Sequence, residues 1–92
     1  MNRIKYEVYG KVQGVFFRKY TQKEAVKLRL SGWVMNTDNG TVVGVAEGPD
    51  QDIMKFKRFL ENQGSPKSRI DKLQFEITDI NKLSFQKFSI RR

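Results

Sequence analysis

Gly10-Lys-Val-Gln-Gly-Val-Phe-Phe-Arg18 combines two glycines, a short apolar run and a terminal arginine. A strand-like segment precedes it and a helical pattern follows. A strand-to-helix turn of this kind can hold an anion. The first backbone N–H groups of a helix have no intrahelical acceptor, and they lie at the positive end of its dipole. Phosphate is favoured at such a point. Gly10 and Gly14 let the backbone bend so that successive N–H groups turn inward as a nest. Arg18 closes the segment with a planar fork that can take two phosphate oxygens at once. Among the apolar residues Val12, Val15, Phe16 and Phe17, we expect Val12 and Phe17 to anchor the turn in the core and keep it stiff. The spacing matches neither the nucleotide P-loop nor Gly-x-Gly-x-x-Gly. It also suits an ordinary turn in which Arg18 is a solvated residue at a helix start.

Asn36, late in the run Trp33–Asp38, is the second candidate. Asparagine is depleted in strands. Its amide both donates and accepts, so it can hold an attacking water in line with a bound phosphoryl group. The plain alternative is a hairpin-end residue bonding locally beside Asn39-Gly40.

The 92 residues contain no Cys and no His. That excludes disulfides, thiolate nucleophiles, Cys-ligated metal centres and the usual general base near neutral pH. The chemistry left rests on Arg, Lys, Asn, carboxylates, hydroxyls or backbone N–H groups. These act by charge and position more than by proton shuttling. The formal net charge of +8 favours anionic partners. No stretch of about 18 apolar residues and no charged leader before an apolar segment is present. The length fits a single domain, 1–92, with a compact core, and a cytoplasmic location is expected by default.

The elements that must position these residues follow from periodicity. Ile4, Tyr6 and Val8 share one face of a strand that Gly10 ends. Lys19–Leu30 reads as an amphipathic helix, with Thr21, Ala25 and Leu28 inward and Val26 and Leu30 widening the stripe. Ser31-Gly32 stops it, with Gly32 as a left-handed cap. Lys19, Lys23, Lys27 and Arg29 form a solvated face that either keeps the protein soluble or adds some steering of anions. Trp33–Asp38 and Thr41–Glu47 flank Asn39-Gly40, a two-residue hairpin signal in which both turn positions take positive φ. Gly48-Pro49-Asp50 opens a second helix carrying Ile53, Phe56 and Leu60, with Met54 and Phe59 beside them. Leu73–Ile77 is another strand. Phe85–Ile90 is a last one, whose out-of-phase Phe85 and Phe88 point to a bulge or a change of face. The order is β-α-β-β-α-β with room for an extra terminal strand. This is the ferredoxin-like α+β sandwich: an antiparallel sheet with both helices on one face.

Three segments resemble the acylphosphatase family. They are Gly10–Arg18, the run Gly32-Trp-Val-Met-Asn-Thr-Asp-Asn-Gly-Thr41 with the following Val-Val-Gly-Val-Ala-Glu-Gly-Pro49, and Gly64-Ser-Pro-Lys-Ser-Arg-Ile-Asp71, the last typical of animal forms. The resemblance spans nearly the whole chain. It implies the ferredoxin-like fold and hydrolysis of the carboxyl–phosphate bond of acylphosphates without metal or cofactor. It carries the phosphate-binding arginine onto Arg18 and the water-orienting asparagine onto Asn36. The backbone N–H groups of Gln13, Gly14, Val15, Phe16, Phe17 and Arg18 complete the anion site, and Thr37 supports Asn36 from behind. Lys11 stands where many members have Arg, Tyr20 where some have His, and Phe16 where some have Cys. None of these touches Arg18 or Asn36. The expected partners are a small acylphosphate and, as product, inorganic phosphate, handled by a monomer that binds neither nucleic acid nor membrane. The rival is a non-catalytic ferredoxin-like module binding an anion or RNA. RNA-recognition domains carry stacking aromatics on a central strand, and Thr41–Glu47 has none.

Overall fold

The computed structural model describes residues 1–92. The elements are β1 (Asn2–Lys11), α1 (Phe17–Lys27), β2 (Ser31–Asn36), β3 (Val42–Gly48), α2 (Asp50–Asn62), β4 (Arg69–Asp79) and β5 (Phe88–Arg91). The strands form one sheet in the order β4-β1-β3-β2-β5. The ferredoxin-like frame is present with the extra terminal strand. Four strands pair antiparallel, but β5 runs parallel to β2, so the sheet is mixed rather than wholly antiparallel. The chain leaves β4 at one edge, crosses the end of the sheet through 80–87 and returns along the other edge. That reversal carries it in the direction of β2.

Ile4, Tyr6 and Val8 point inward from β1 and meet Val34, Val42 and Ala46 in one core. Phe17, Thr21 and Ala25 of α1 and Ile53, Phe56, Phe59 and Leu60 of α2 are the buried helical residues. Phe56 meets Tyr6 and Phe88 edge to face, with ring centroids 5.6 and 6.0 Å apart, the arrangement that ring quadrupoles favour. Burial pushes the Tyr6 hydroxyl well above its ordinary pKa. It therefore stays a donor, to the Trp33 carbonyl at 3.0 Å.

Several local expectations are corrected. Helix α1 begins at Phe17 and ends at Lys27. Arg29, not Gly32, is the left-handed residue after it (φ 59). The Arg29 and Leu30 N–H groups donate back to the Val26 and Ala25 carbonyls, a Schellman closure that turns Leu30 into the core and leaves Val26 exposed. Gly32 already belongs to β2. The hairpin pairs Asn36 with Val42, and only Gly40 of the turn has positive φ. The Thr37 hydroxyl accepts the Asn39 and Thr41 N–H groups, each at 3.2 Å. A side chain thus closes a longer loop where a two-residue turn was expected. Phe85 and Phe88 are out of phase because Phe85 lies in the crossing and Phe88 opens β5. Met54 is exposed on α2. Strand β1 does not stop at Gly10 but runs to Lys11, with a register shift against β4 between Tyr9 and Gly10. A Cβ on Gly10 would lie 2.1 Å from the Arg69 carbonyl oxygen, so this glycine serves strand approach rather than the turn.

The crossing is held by a buried carboxylate. Glu47 on β3 has no exposed surface. It accepts from Arg3 Nε at 2.6 Å and from the Ser84 N–H at 2.6 Å. Removing one partner of a buried ion pair strands the other. Glu47→Ala is therefore expected to lower the unfolding free energy by about 2–4 kcal/mol, the partial exposure of Arg3 softening the loss. Urea denaturation checks this, against a Ser84→Ala control that keeps the N–H and loses less than about 1 kcal/mol.

Candidate active site

The segment from Val12 to Phe16 joins β1 to α1 without regular structure. Val12, Val15 and Phe17 are buried, so the turn is pinned on both sides of Phe16. Phe16 is forced outward. It is 74% exposed and sits at φ 61, ψ 22 as the cap of α1, a conformation that costs a bulky residue about 1–3 kcal/mol. Gly14 is also left-handed, at φ 72. Positive φ at 14 and 16 on either side of Val15, whose φ is not positive, makes the alternation that turns successive N–H groups toward one concavity. The N–H groups of Gln13, Gly14, Val15, Phe16, Phe17 and Arg18 find no acceptor elsewhere in the protein; the first bond at the helix start is from Tyr20 to the Phe16 carbonyl at 3.1 Å. Unpaired backbone donors in such numbers are uncommon in a folded chain. Gly14, not Gly10, is the glycine this geometry requires.

The turn forms one wall of a cleft of about 500 Å³ lined by Arg18 and Asn36 together with Gly14, Phe16, Lys19 and residues of the C-terminal strand. Arg18 lies at the start of α1 and its guanidinium donates to the Arg91 carbonyl at 3.3 Å. Strand β5 thus steadies it. Asn36 is the last residue of β2 and comes from the opposite side. Its amide oxygen is buried with no hydrogen-bond partner, a state that costs about 1–3 kcal/mol, while the residue itself lines the cleft. The lining side chains include Arg18, Lys19 and Arg92 and no Asp or Glu. Such a wall repels a cation and attracts an anion.

The family model for acylphosphatase matches residues 4–90. The chain belongs to the acylphosphatase family. It is similar to acylphosphatase-1 of Xenopus tropicalis, 54% identical over 88 residues that cover 95% of this chain and 90% of the relative. Human acylphosphatase-2 is 47% identical over 92 residues, covering 99% and 93%. The crystal structure of the Bacillus subtilis acylphosphatase aligns over the whole of both chains with a TM-score of 0.92 at 37% identity. The reaction of the family is hydrolysis of acylphosphates.

Side-chain contacts that the sequence alone does not show tie the elements of this cleft together. The Gln13 side chain, expected to contribute only its backbone, donates to the Thr37 carbonyl at 2.8 Å and the Thr41 carbonyl at 2.9 Å. It ties the turn to the hairpin that ends on Asn36. Thr37 follows Asn36 in the chain, its hydroxyl 2.7 Å from that of Thr41, which in turn donates to Glu7 at 2.6 Å. On the other flank, Gln22 of α1 donates to the Phe88 carbonyl at 3.1 Å, and Ile90 and Arg92 extend the cleft wall. An uncharged polar residue next to Gly14, between the apolar Val12 and Val15, was the available signal for Gln13. Gln13→Ala is expected to lower kcat for acylphosphate hydrolysis about 10- to 10²-fold through misalignment. It should lower stability by only about 1–2 kcal/mol. Steady-state kinetics beside urea denaturation checks both, and the loss should fall on kcat more than on KM.

Proposed function

We propose that the protein is a metal-independent acylphosphatase in which Arg18 and the N–H groups of residues 13–18 bind the phosphate and Asn36 orients the attacking water. The observation that carries this reading is the meeting, in one cationic cleft, of a turn rich in free N–H donors, an arginine fork and an asparagine with a buried unpartnered oxygen. Water held by Asn36 attacks phosphorus. The bond from phosphorus to the acyl oxygen breaks and its electron pair leaves with the carboxylate. A phosphate oxygen takes the proton of the water. Charge building on the equatorial oxygens meets donors already in place, where preorganisation is worth most. The leaving carboxylate has a conjugate acid of pKa about 4, close to that of a Glu side chain. It departs without protonation, which is how a chain with neither His nor Cys performs the step.

Thr37 holds the hairpin end that carries Asn36 and does not touch substrate. The whole chain, 1–92, acts as one domain and as a cytoplasmic monomer that binds neither nucleic acid nor membrane. No helix is long and apolar enough to cross a membrane, and β3 offers no aromatic side chain on which bases could stack.

Arg18→Ala is expected to lower turnover by at least about 10² and to weaken inhibition by inorganic phosphate. Arg18→Lys should also be poor, because a point charge does not replace a planar fork. Asn36→Ala should lose turnover by about 10² while keeping phosphate affinity and fold. Benzoyl phosphate hydrolysis with chelator present, together with phosphate inhibition constants, measures all three. A folded Asn36→Ala protein with unchanged turnover removes the water-orienting role, and activity that requires added metal removes the mechanism.

A further inference from the structure

A second, shallower recess adjoins the cleft. It encloses about 270 Å³ and is lined by Phe16, Lys19, Tyr20 and Lys23. Phe16 and Lys19 line both recesses, so the two adjoin, whereas Asn36 and the strand residues line only the first. Lys19 and Lys23 stand one helical turn apart on the same face of α1. Tyr20 lies beside them, its ring 5.6 Å from the Lys23 ammonium. Neither lysine is in any of the four ion pairs of the protein. Like charges at i, i+4 repel and weaken a helix, and an anion between them reverses that cost.

The direction of the reaction points to the same place. An in-line displacement puts the entering water and the leaving group on opposite sides of phosphorus. With water on the Asn36 side, the acyl group leaves on the side away from Asn36, and the second recess is the adjoining space that Asn36 does not line. Lys23 lies about 9 Å along the helix axis from Phe17 at a rise of 1.5 Å per residue. Its side chain leans back toward the N-terminus, which brings the ammonium within reach of a group a few bonds beyond the reacting carboxyl.

We infer that this recess is the acyl-group subsite and that it favours acylphosphates whose acyl group bears a second negative charge. Phe16 and Tyr20 cover the carbon skeleton, and Lys19 and Lys23 take the second anion. The inference rests on the acylphosphate reaction proposed above.

The test compares kcat/KM for 4-carboxybenzoyl phosphate with that for benzoyl phosphate, at about 0.15 M ionic strength to screen distant charge. Lys23→Gln is expected to lower the ratio of the two about three- to five-fold, the size of a local, partly exposed ion pair, with the change in KM. Lys27→Gln removes the same charge one turn further along, outside the recess, and should leave the ratio unchanged. A ratio unmoved by Lys23→Gln overturns the subsite. Equal falls in both variants also overturn it, since they report long-range steering. A wild-type protein inactive on both compounds overturns the underlying reaction, a result distinct from either.

Discussion

The site depends on one amide side chain that bridges two elements far apart in sequence. Gln13 reaches from the turn before α1 to the carbonyls of Thr37 and Thr41. One half of the site, the free N–H groups and Arg18, rides on that turn. The other half, Asn36, ends a strand on the far side of the cleft. The sheet holds the turn only at its start, because residues 12–16 lie outside it. Two short hydrogen bonds therefore tie the turn directly to the hairpin and help set the spacing between phosphate and water. That spacing matters steeply, since misplacement by an ångström costs about 10² in rate.

The rest of the fold serves rigidity around this tie. Val12, Val15 and Phe17 bury the turn from within, and Phe16 takes the strain that this imposes. The buried Glu47 fixes the crossing that delivers β5, and β5 offers its Arg91 carbonyl to Arg18. The Arg91 guanidinium stacks 4.4 Å over Trp33 of β2, which fastens the last strand against its parallel neighbour. The chemistry asks for this kind of frame. With a leaving group of low basicity no proton donor is needed, so the protein contributes fixed donors and a held water, and both are only as good as their placement.

Much of the frame was legible in the sequence because it follows from local pattern. Ile4, Tyr6 and Val8 announced β1 by alternation, and Ile53, Phe56 and Leu60 announced the buried face of α2 by helical spacing. The failures have physical causes. Val26 looks like a continuation of the α1 stripe but is exposed, whereas Leu30 is buried as the stripe suggests, though by a left-handed closure at Arg29 rather than by helical continuation. The parallel β5 is only Phe88–Arg91 and is held by a carboxylate on β3, a long-range contact that no periodicity records. Arg18 and Asn36 were separately ambiguous, each also suiting an ordinary turn. Only the extended family motifs joined them. Phe17 and Val12 lie in the core as expected, whereas that Gln13 acts through its side chain was set by tertiary packing.

The central claim is that the cleft holds the phosphorus centre and directs water to it. Hydrolysis of benzoyl phosphate in ¹⁸O-labelled water, with the products analysed by mass spectrometry, tests it most directly. Attack at phosphorus places the label in inorganic phosphate and leaves benzoate unlabelled, which is the predicted result. Label in benzoate would mean that water attacks the acyl carbon, and it would contradict the assignment of Asn36 and the phosphate cradle together.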